Sequence, residues 1–329
     1  MGYSAVETLI LSRSEVAALL EPHIVLTALR EAFIAYSTSR TIDAMRIPLA
    51  LPPPESGAAS SGMLLAPGLV PGIPAYSVKV HAKFPGQDPA IRGVLVLHDL
   101  TTGAVIALIE SSHLTALRTG LAGALGADAL ARRDARTVAI IGAVAQGRSQ
   151  LAALRLVRPI TAVNVLDAAA AAARSFARDP VCDELAVRVV DSLDEALDGA
   201  DVVVTSTWAR EPFLFKRHLQ PGVHLTNVGA DQPGRCEISA DALQAAVVVV
   251  DDRRLAVEMG VIGGAGLDDT AIHAELGEVL AGVRRGRSSP DDITVFGSVG
   301  LAFQDLAAGW RAYTLARERG IGRSVRLLD

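Results

Sequence analysis

Apolar positions in SEVAALLEPHIVLTALREAFIAY, residues 14–36, recur at the three- and four-residue spacing of amphipathic helices, and Pro22 divides the run in two. Ser14 stands where it can cap the first turn. After the loop PPPESGAASSG the period shortens: GMLLAPGLV, AYSVKVHAKF, GVLVLHD and AVIALIES read as strands, and GVLVLHDLTTGAVIALIE as a hairpin turning at Leu100 to Gly103. These predict an antiparallel or mixed sheet. From Thr137 the rhythm changes again. TVAII, AVNVL, AVRVV, DVVVTS, HLTNV and AVVVVDD are short, β-branched and apolar, with mostly helical segments such as LDAAAAAARSFA between them. That alternation predicts an α/β fold with a Rossmann-type, doubly wound parallel sheet. TAIHAELGEVLAGVRRG reads as a further helix, GGAGLDD as a loop, ITVF as a last strand and GLAFQDLAAGWRAYTLARERG as a long closing helix. No fixed-period repeat is present.

Composition narrows the partners. At 329 residues the chain is long for one core, so two domains are expected; with 50% hydrophobic and 20% charged residues it is not disordered. A net charge of -5 provides no basic stripe for a phosphate backbone, so a small solute is expected rather than nucleic acid. Cys182 and Cys236 have no second thiol or histidine at metal-ligand spacing, so neither a metal site nor a disulfide is expected. MGYSAVETLIL lacks a basic leader region, Val6 spoils a myristoylation signal, and AAVVVVDD is too short to span a bilayer. A cytoplasmic protein without membrane partners is the expectation. Lysine is scarce: Lys79, Lys83 and Lys216 stand against 28 arginines. Two of the three fall in VKVHAKF, which points to a compact, titratable cation there.

TVAIIGAVAQGRS, residues 137–149, follows the dinucleotide fingerprint with one departure. Its first glycine, for the tight turn, is Gly142, and its third, for close helix–strand packing, is Gly147. The middle position, where pyrophosphate approaches the backbone, is Val144. Asp167 closes the second strand, where it would accept hydrogen bonds from ribose hydroxyls and repel a 2′-phosphate, favouring NAD over NADP.

Two further stretches carry chemistry. Arg46, Lys79 and Arg118 lie far apart in sequence, but strands of one sheet and a helix start could gather them into a carboxylate-binding cluster. In HLTNVGADQPGRCEIS, Asp231 follows a predicted strand at the edge of the parallel sheet where ligands lie, and suits a general base.

LTALRTGLAGALGADALA, IIGA.AQ, NVGADQPGR.E and FGSVGLAFQDLAAGWRAY, in this order, resemble the ornithine cyclodeaminase / mu-crystallin family over essentially the whole chain. The resemblance implies a substrate-binding and dimerisation domain of residues 1–126 with 300–329, a Rossmann domain of residues 127–299, and a homodimer. It implies that Arg46, Lys79 and Arg118 hold a substrate carboxylate, that Asp231 faces the substrate amine, and that Lys79 tunes proton transfer. Arg235, a further substrate-binding residue toward the substrate's distal end, stands where the cyclodeaminase pattern has lysine. The NAD site would comprise Gly142, Ala143, Val144, Ala145, Gln146, Asp167, Thr205, Ser206 and Val228, with Ser298 to Gly300 as the turn beside nicotinamide and substrate. The implied chemistry is hydride movement at the α-carbon of an amino acid or a cyclic imine. Because Asp231 suits a free amine, ornithine cyclodeamination to proline is the specific expectation. The alternatives are a ketimine or pyrroline-2-carboxylate reductase, an amino-acid dehydrogenase, and a binding protein whose Val144 has impaired cofactor affinity.

Overall fold

A computed structural model describes residues 7–39, 43–51, 62–84, 87 and 89–327. The first six residues and nearly all of the PPPESGAASSG loop lie outside the described residues. The chain divides into two compact units, Met1–Arg118 with Leu301–Asp329, and Thr119–Gly300.

The first unit opens with strand β1 (Glu7–Leu11), followed by α1 (Arg13–Leu19) and α2 (Pro22–Thr38). Ser12, and not Ser14, caps α1: its hydroxyl accepts the Glu15 N–H while the Glu15 carboxylate accepts the Ser12 N–H. A cap stands three residues before its acidic partner, and Ser14 is already inside the helix. Pro22 sits in the first turn of α2, where its missing N–H costs nothing. Strands β2 (Ile47–Ala50), β3 (Gly62–Gly68), β4 (Ala75–Lys83), β5 (Ile91–Asp99) and β6 (Val105–Glu110) then form a meander, with the expected turn between β5 and β6. Helix α3 (Ser112–Leu130) follows. Its start is set by Glu110, whose carboxylate accepts the Ser112 and His113 amides, so Arg118 lies in the second turn and not at the helix start expected of it.

The second unit runs β7 (Thr137–Ile141), α4 (Ala145–Val157), β8 (Ala162–Leu166), α5 (Ala170–Phe176), β9 (Ala186–Val189), α6 (Leu193–Leu197), β10 (Val202–Thr205), β11 (His224–Asn227), α7 (Ala240–Gln244), β12 (Val247–Val250), α8 (Arg253–Glu258), α9 (Val261–Gly264), β13 (Ala274–Glu275), α10 (Leu276–Leu280) and β14 (Thr294–Gly297). All eight strands pair in parallel in the order β13-β12-β14-β11-β10-β7-β8-β9. Sequence order reverses between β7 and β10, the switch point of a doubly wound sheet, where ligands lie beyond the strand ends. Two local expectations are corrected. TAIHAELGEVLAGVRRG is not one helix: Ala274 and Glu275 pair with the open edge of β12, and only Leu276–Leu280 form an α-helix. The edge's unpaired backbone groups outweigh helix propensity there. Within GGAGLDD, the first two glycines close α9.

The chain then returns to the first unit with α11 (Ala302–Arg319) and β15 (Arg323–Arg326). The first unit's sheet reads β15-β1-β6-β5-β4-β3-β2, parallel only between β1 and β6. Helix α11 covers β3, β4 and β5 and packs on α2, where Phe303 meets Phe33 edge-on at 5.1 Å and stacks on Tyr36 at 4.7 Å. Each such ring pair contributes about 0.5–1.5 kcal/mol beyond area burial.

Candidate active site

Under α11, strand β4 carries a lysine with 1% of its surface exposed. The Lys79 Nζ donates to the Asp305 Oδ1 at 2.8 Å and to the Thr115 hydroxyl at 2.6 Å. Arg118 Nε donates to the same Asp305 oxygen at 3.1 Å, and its Nη1 donates to Gln304 Oε1 at 2.8 Å. The structure therefore joins Lys79 and Arg118 through a carboxylate that sequence reasoning missed. Burial alone would raise the Asp305 pKa, but Arg118 and Lys79 hold it below its ordinary value. At Lys79 burial prevails instead: desolvation, helped by the Arg118 and Arg46 charges, outweighs Asp305 and brings its pKa down to about 8. Arg46, half-buried ahead of β2, is thus near enough for its charge to be felt at Lys79. Two buried cations sharing one carboxylate keep a surplus positive charge, the condition for receiving an anion.

In the second unit the glycine turn has the expected form. Gly142 has φ +102°, and a Cβ there would stand 2.7 Å from the Ser206 carbonyl oxygen, whose hydroxyl in turn donates to the Gly142 carbonyl. A Cβ on Gly147 would stand 2.5 Å from the Gly142 carbonyl oxygen, so the third glycine does permit close helix–strand packing. Val144 is the N-cap of α4, in extended backbone at φ -110°, which any residue adopts; it is 42% exposed and gives no side-chain cap. The amides that open α4, at Ala145 and Gln146, thus meet no capping side chain, as an anion site at a helix start requires. Ala143 is buried, and its N–H donates to Asp167 Oδ2 at 2.7 Å; Asp167 Oδ1 accepts the Ala169 N–H at 2.8 Å. Gln146 Oε1 is buried without a partner among the described residues. Thr205 Oγ1 accepts from Asn227, and Val228 N–H donates to the Thr205 carbonyl, so these two are tied to strand ends.

The loop after β11 holds Asp231, half-buried, and Arg235, buried, with its guanidinium 4.2 Å over the Trp208 ring and Nη1 3.4 Å from the Thr207 carbonyl oxygen. Beneath it lies a second carboxylate that sequence reasoning left without a role. Glu237 accepts from the Thr207 amide and hydroxyl and from Asn227, and the loop passes so close that a Cβ on Gly229 would stand 2.4 Å from Glu237 Oε2. Burial raises its pKa. A third, Asp251 at the end of β12, accepts from the Ser298 hydroxyl and the Gly300 amide and so holds the SVG turn; burial raises its pKa to about 6. The available signal was position: Asp251 and Glu237 follow strand ends or strand-end loops on the ligand edge, and Asp305 interrupts an apolar helix face.

The model of the ornithine cyclodeaminase/mu-crystallin family matches residues 6–320. The chain belongs to this family. Among solved structures it is similar to an archaeal alanine dehydrogenase dimer with bound NAD, at 31% identity and TM-score 0.87, covering 98% of this chain and 100% of that one. It is similar at 30% identity and TM-score 0.87 to the Δ1-pyrroline-2-carboxylate reductase of Thermococcus litoralis in complex with NADH and L-proline, covering 97% of this family member and all of that chain. A lysine cyclodeaminase that recognises L-lysine, L-ornithine and L-2,4-diaminobutyric acid matches at 28% identity and TM-score 0.87, over 98% and 96% of the two chains.

Proposed function

We propose that this chain is an NAD(H)-dependent enzyme acting at the α-carbon of an amino acid or its imine, working as an imino-acid reductase or amino-acid dehydrogenase. The observation that carries this reading is the surplus cation of the Lys79–Arg118–Asp305 cluster, which an α-carboxylate neutralises. Arg46 adds a further positive charge toward it. The alanine dehydrogenase and the pyrroline-2-carboxylate reductase support the reaction class.

In this reading Gly142, Ala143 and the uncapped start of α4 through Val144, Ala145 and Gln146 hold the pyrophosphate of NAD, and Asp167 takes its ribose hydroxyls. Thr205, Ser206, Val228, Ser298 and Gly300 complete the cofactor's surroundings. When bound, NAD(H) supplies or accepts the hydride. The protein's own residues do the rest. Lys79, Arg118 and Arg46 fix the carboxylate, and Asp305 keeps the first two in register. Asp231 gives or takes the proton at the substrate nitrogen. Glu237 fastens the loop that carries Asp231, and Asp251 fastens the SVG turn.

Asp231 favours a second reading, cyclodeamination of ornithine, in which the same carboxylate deprotonates the side-chain amine; the lysine cyclodeaminase supports it. The two separate on one assay. With Δ1-pyrroline-2-carboxylate, loss of NADH in step with proline formation is expected. Proline formed from L-ornithine without net NADH change, and no NADH loss with the imine, would give the second reading; NADH unconsumed across a panel of α-imino acids, with no proline from L-ornithine, would remove both.

A further inference from the structure

We infer that His81 is a further substrate-binding residue, an uncharged hydrogen-bond donor to the carboxylate that Lys79 and Arg118 attract. The inference rests on the amino-acid reading of that site.

His81 follows Lys79 by two positions on β4 and therefore projects from the same face of the sheet. Its cross-strand neighbours are Gly93 on β5 and Leu64 on β3. A Cβ on Gly93 would stand 2.5 Å from the His81 Cβ and 2.2 Å from the Val80 carbonyl oxygen. The bare backbone of Gly93 thus keeps the room that His81 occupies. The imidazole Nδ1 is buried and has no hydrogen-bond partner among the described residues. A buried polar atom left unpaired costs stability, and a ligand that supplies the missing partner recovers it.

The ring's surroundings say which form of the imidazole is present. The charges of Lys79 on its own strand, Asp305 on α11, Arg118 on α3 and Arg46 ahead of β2 all act on it. Burial first, and then the Lys79, Arg118 and Arg46 charges against Asp305, take its pKa down to about 3. The ring is therefore neutral near pH 7, with one N–H to donate and one nitrogen to accept. A third strong cation beside Lys79 and Arg118 would be repelled by both. A neutral donor adds direction to carboxylate binding without adding charge, and it does not lose its proton in the range where Lys79 titrates.

The test uses His81→Leu, which keeps bulk and removes polarity, and His81→Asn, whose amide nitrogen reaches the place of Nδ1. In the imine reduction assay His81→Leu is expected to raise KM by about 10-fold or more with kcat within about 3-fold of wild type, while His81→Asn recovers most of the loss. NADH affinity, read by fluorescence, stays unchanged in both. The ratio of variant to wild-type KM stays constant from pH 6 to 7.5, where a cationic histidine would make it change. A KM in His81→Leu within twofold of wild type, or equal losses in Leu and Asn variants, overturns the inference. If the Leu variant does not fold, His81→Ala against His81→Asn makes the same contrast. Calorimetry with pyrrole-2-carboxylate separates this inference from the functional reading. If wild type turns over no imine yet binds this probe, and His81→Leu binds it about 10-fold more weakly, His81 stands while the reaction assigned above falls. No binding by wild type overturns both.

Discussion

At Lys79 two effects oppose each other: burial favours the neutral amine, the Asp305 carboxylate favours the ammonium, and burial prevails to leave a pKa of about 8. The ammonium is the form that attracts a carboxylate, so affinity is present below about pH 8 and is lost as pH rises through that value. Pyrrole-2-carboxylate, whose carboxyl group stays ionised throughout, reports this directly. Its Kd is expected to be flat near pH 7 and then to rise toward about 10-fold per pH unit. Asp305 raises the Lys79 pKa, so Asp305→Asn moves the rise to lower pH, provided the variant folds. A Kd independent of pH from 7 to 9.5 would mean that Lys79 does not carry the charge that binds the anion. Asp305 itself shows why the cluster was only half legible in sequence. Lys79 and Arg118 could be named as candidate cations, but their shared partner lies 226 residues beyond Lys79 and looks like any polar residue on a helix.

Among the elements, legibility followed burial. The strands of the parallel sheet are apolar along their length because most are covered on both faces, so TVAII, AVNVL and DVVVT declare themselves. β15, with the sequence RSVR, has no such pattern and exists through its antiparallel pairing with β1. The two-residue β13 depends likewise on the edge of β12. Val144 was legible as a departure, but its consequence depended on geometry: the position needs no positive φ, and the helix start remains uncapped. β2 raises a different question. It is the edge strand of its sheet, and Ile47 and Leu49, two apart on one face, are 44% and 45% exposed, with Met45 at 52%. An exposed apolar edge favours association. Ile47→Glu with Leu49→Glu is expected to reduce self-association, read as a smaller sedimentation coefficient than that of wild type at micromolar concentration. An unchanged coefficient would mean that this edge takes no part in association.

At the scale of the molecule, each unit brings one requirement of the proposed reaction: the first an anion site with surplus positive charge, the second a glycine turn and uncapped helix start on the ligand edge of a parallel sheet. Among the described residues there is no group of three or more histidine, cysteine or acidic side chains suited to a metal ion, and no helix long and apolar enough to cross a membrane. The proposed function stands on hydride passing at the α-carbon of a carboxylate-anchored substrate. NADH carrying deuterium in the transferred position at C4, incubated with Δ1-pyrroline-2-carboxylate and the protein, tests it most directly. Proline with the label at Cα, read by mass spectrometry and proton NMR, is expected. Proline formed without label at Cα, or NADH left unconsumed across a panel of α-imino acids, would contradict it.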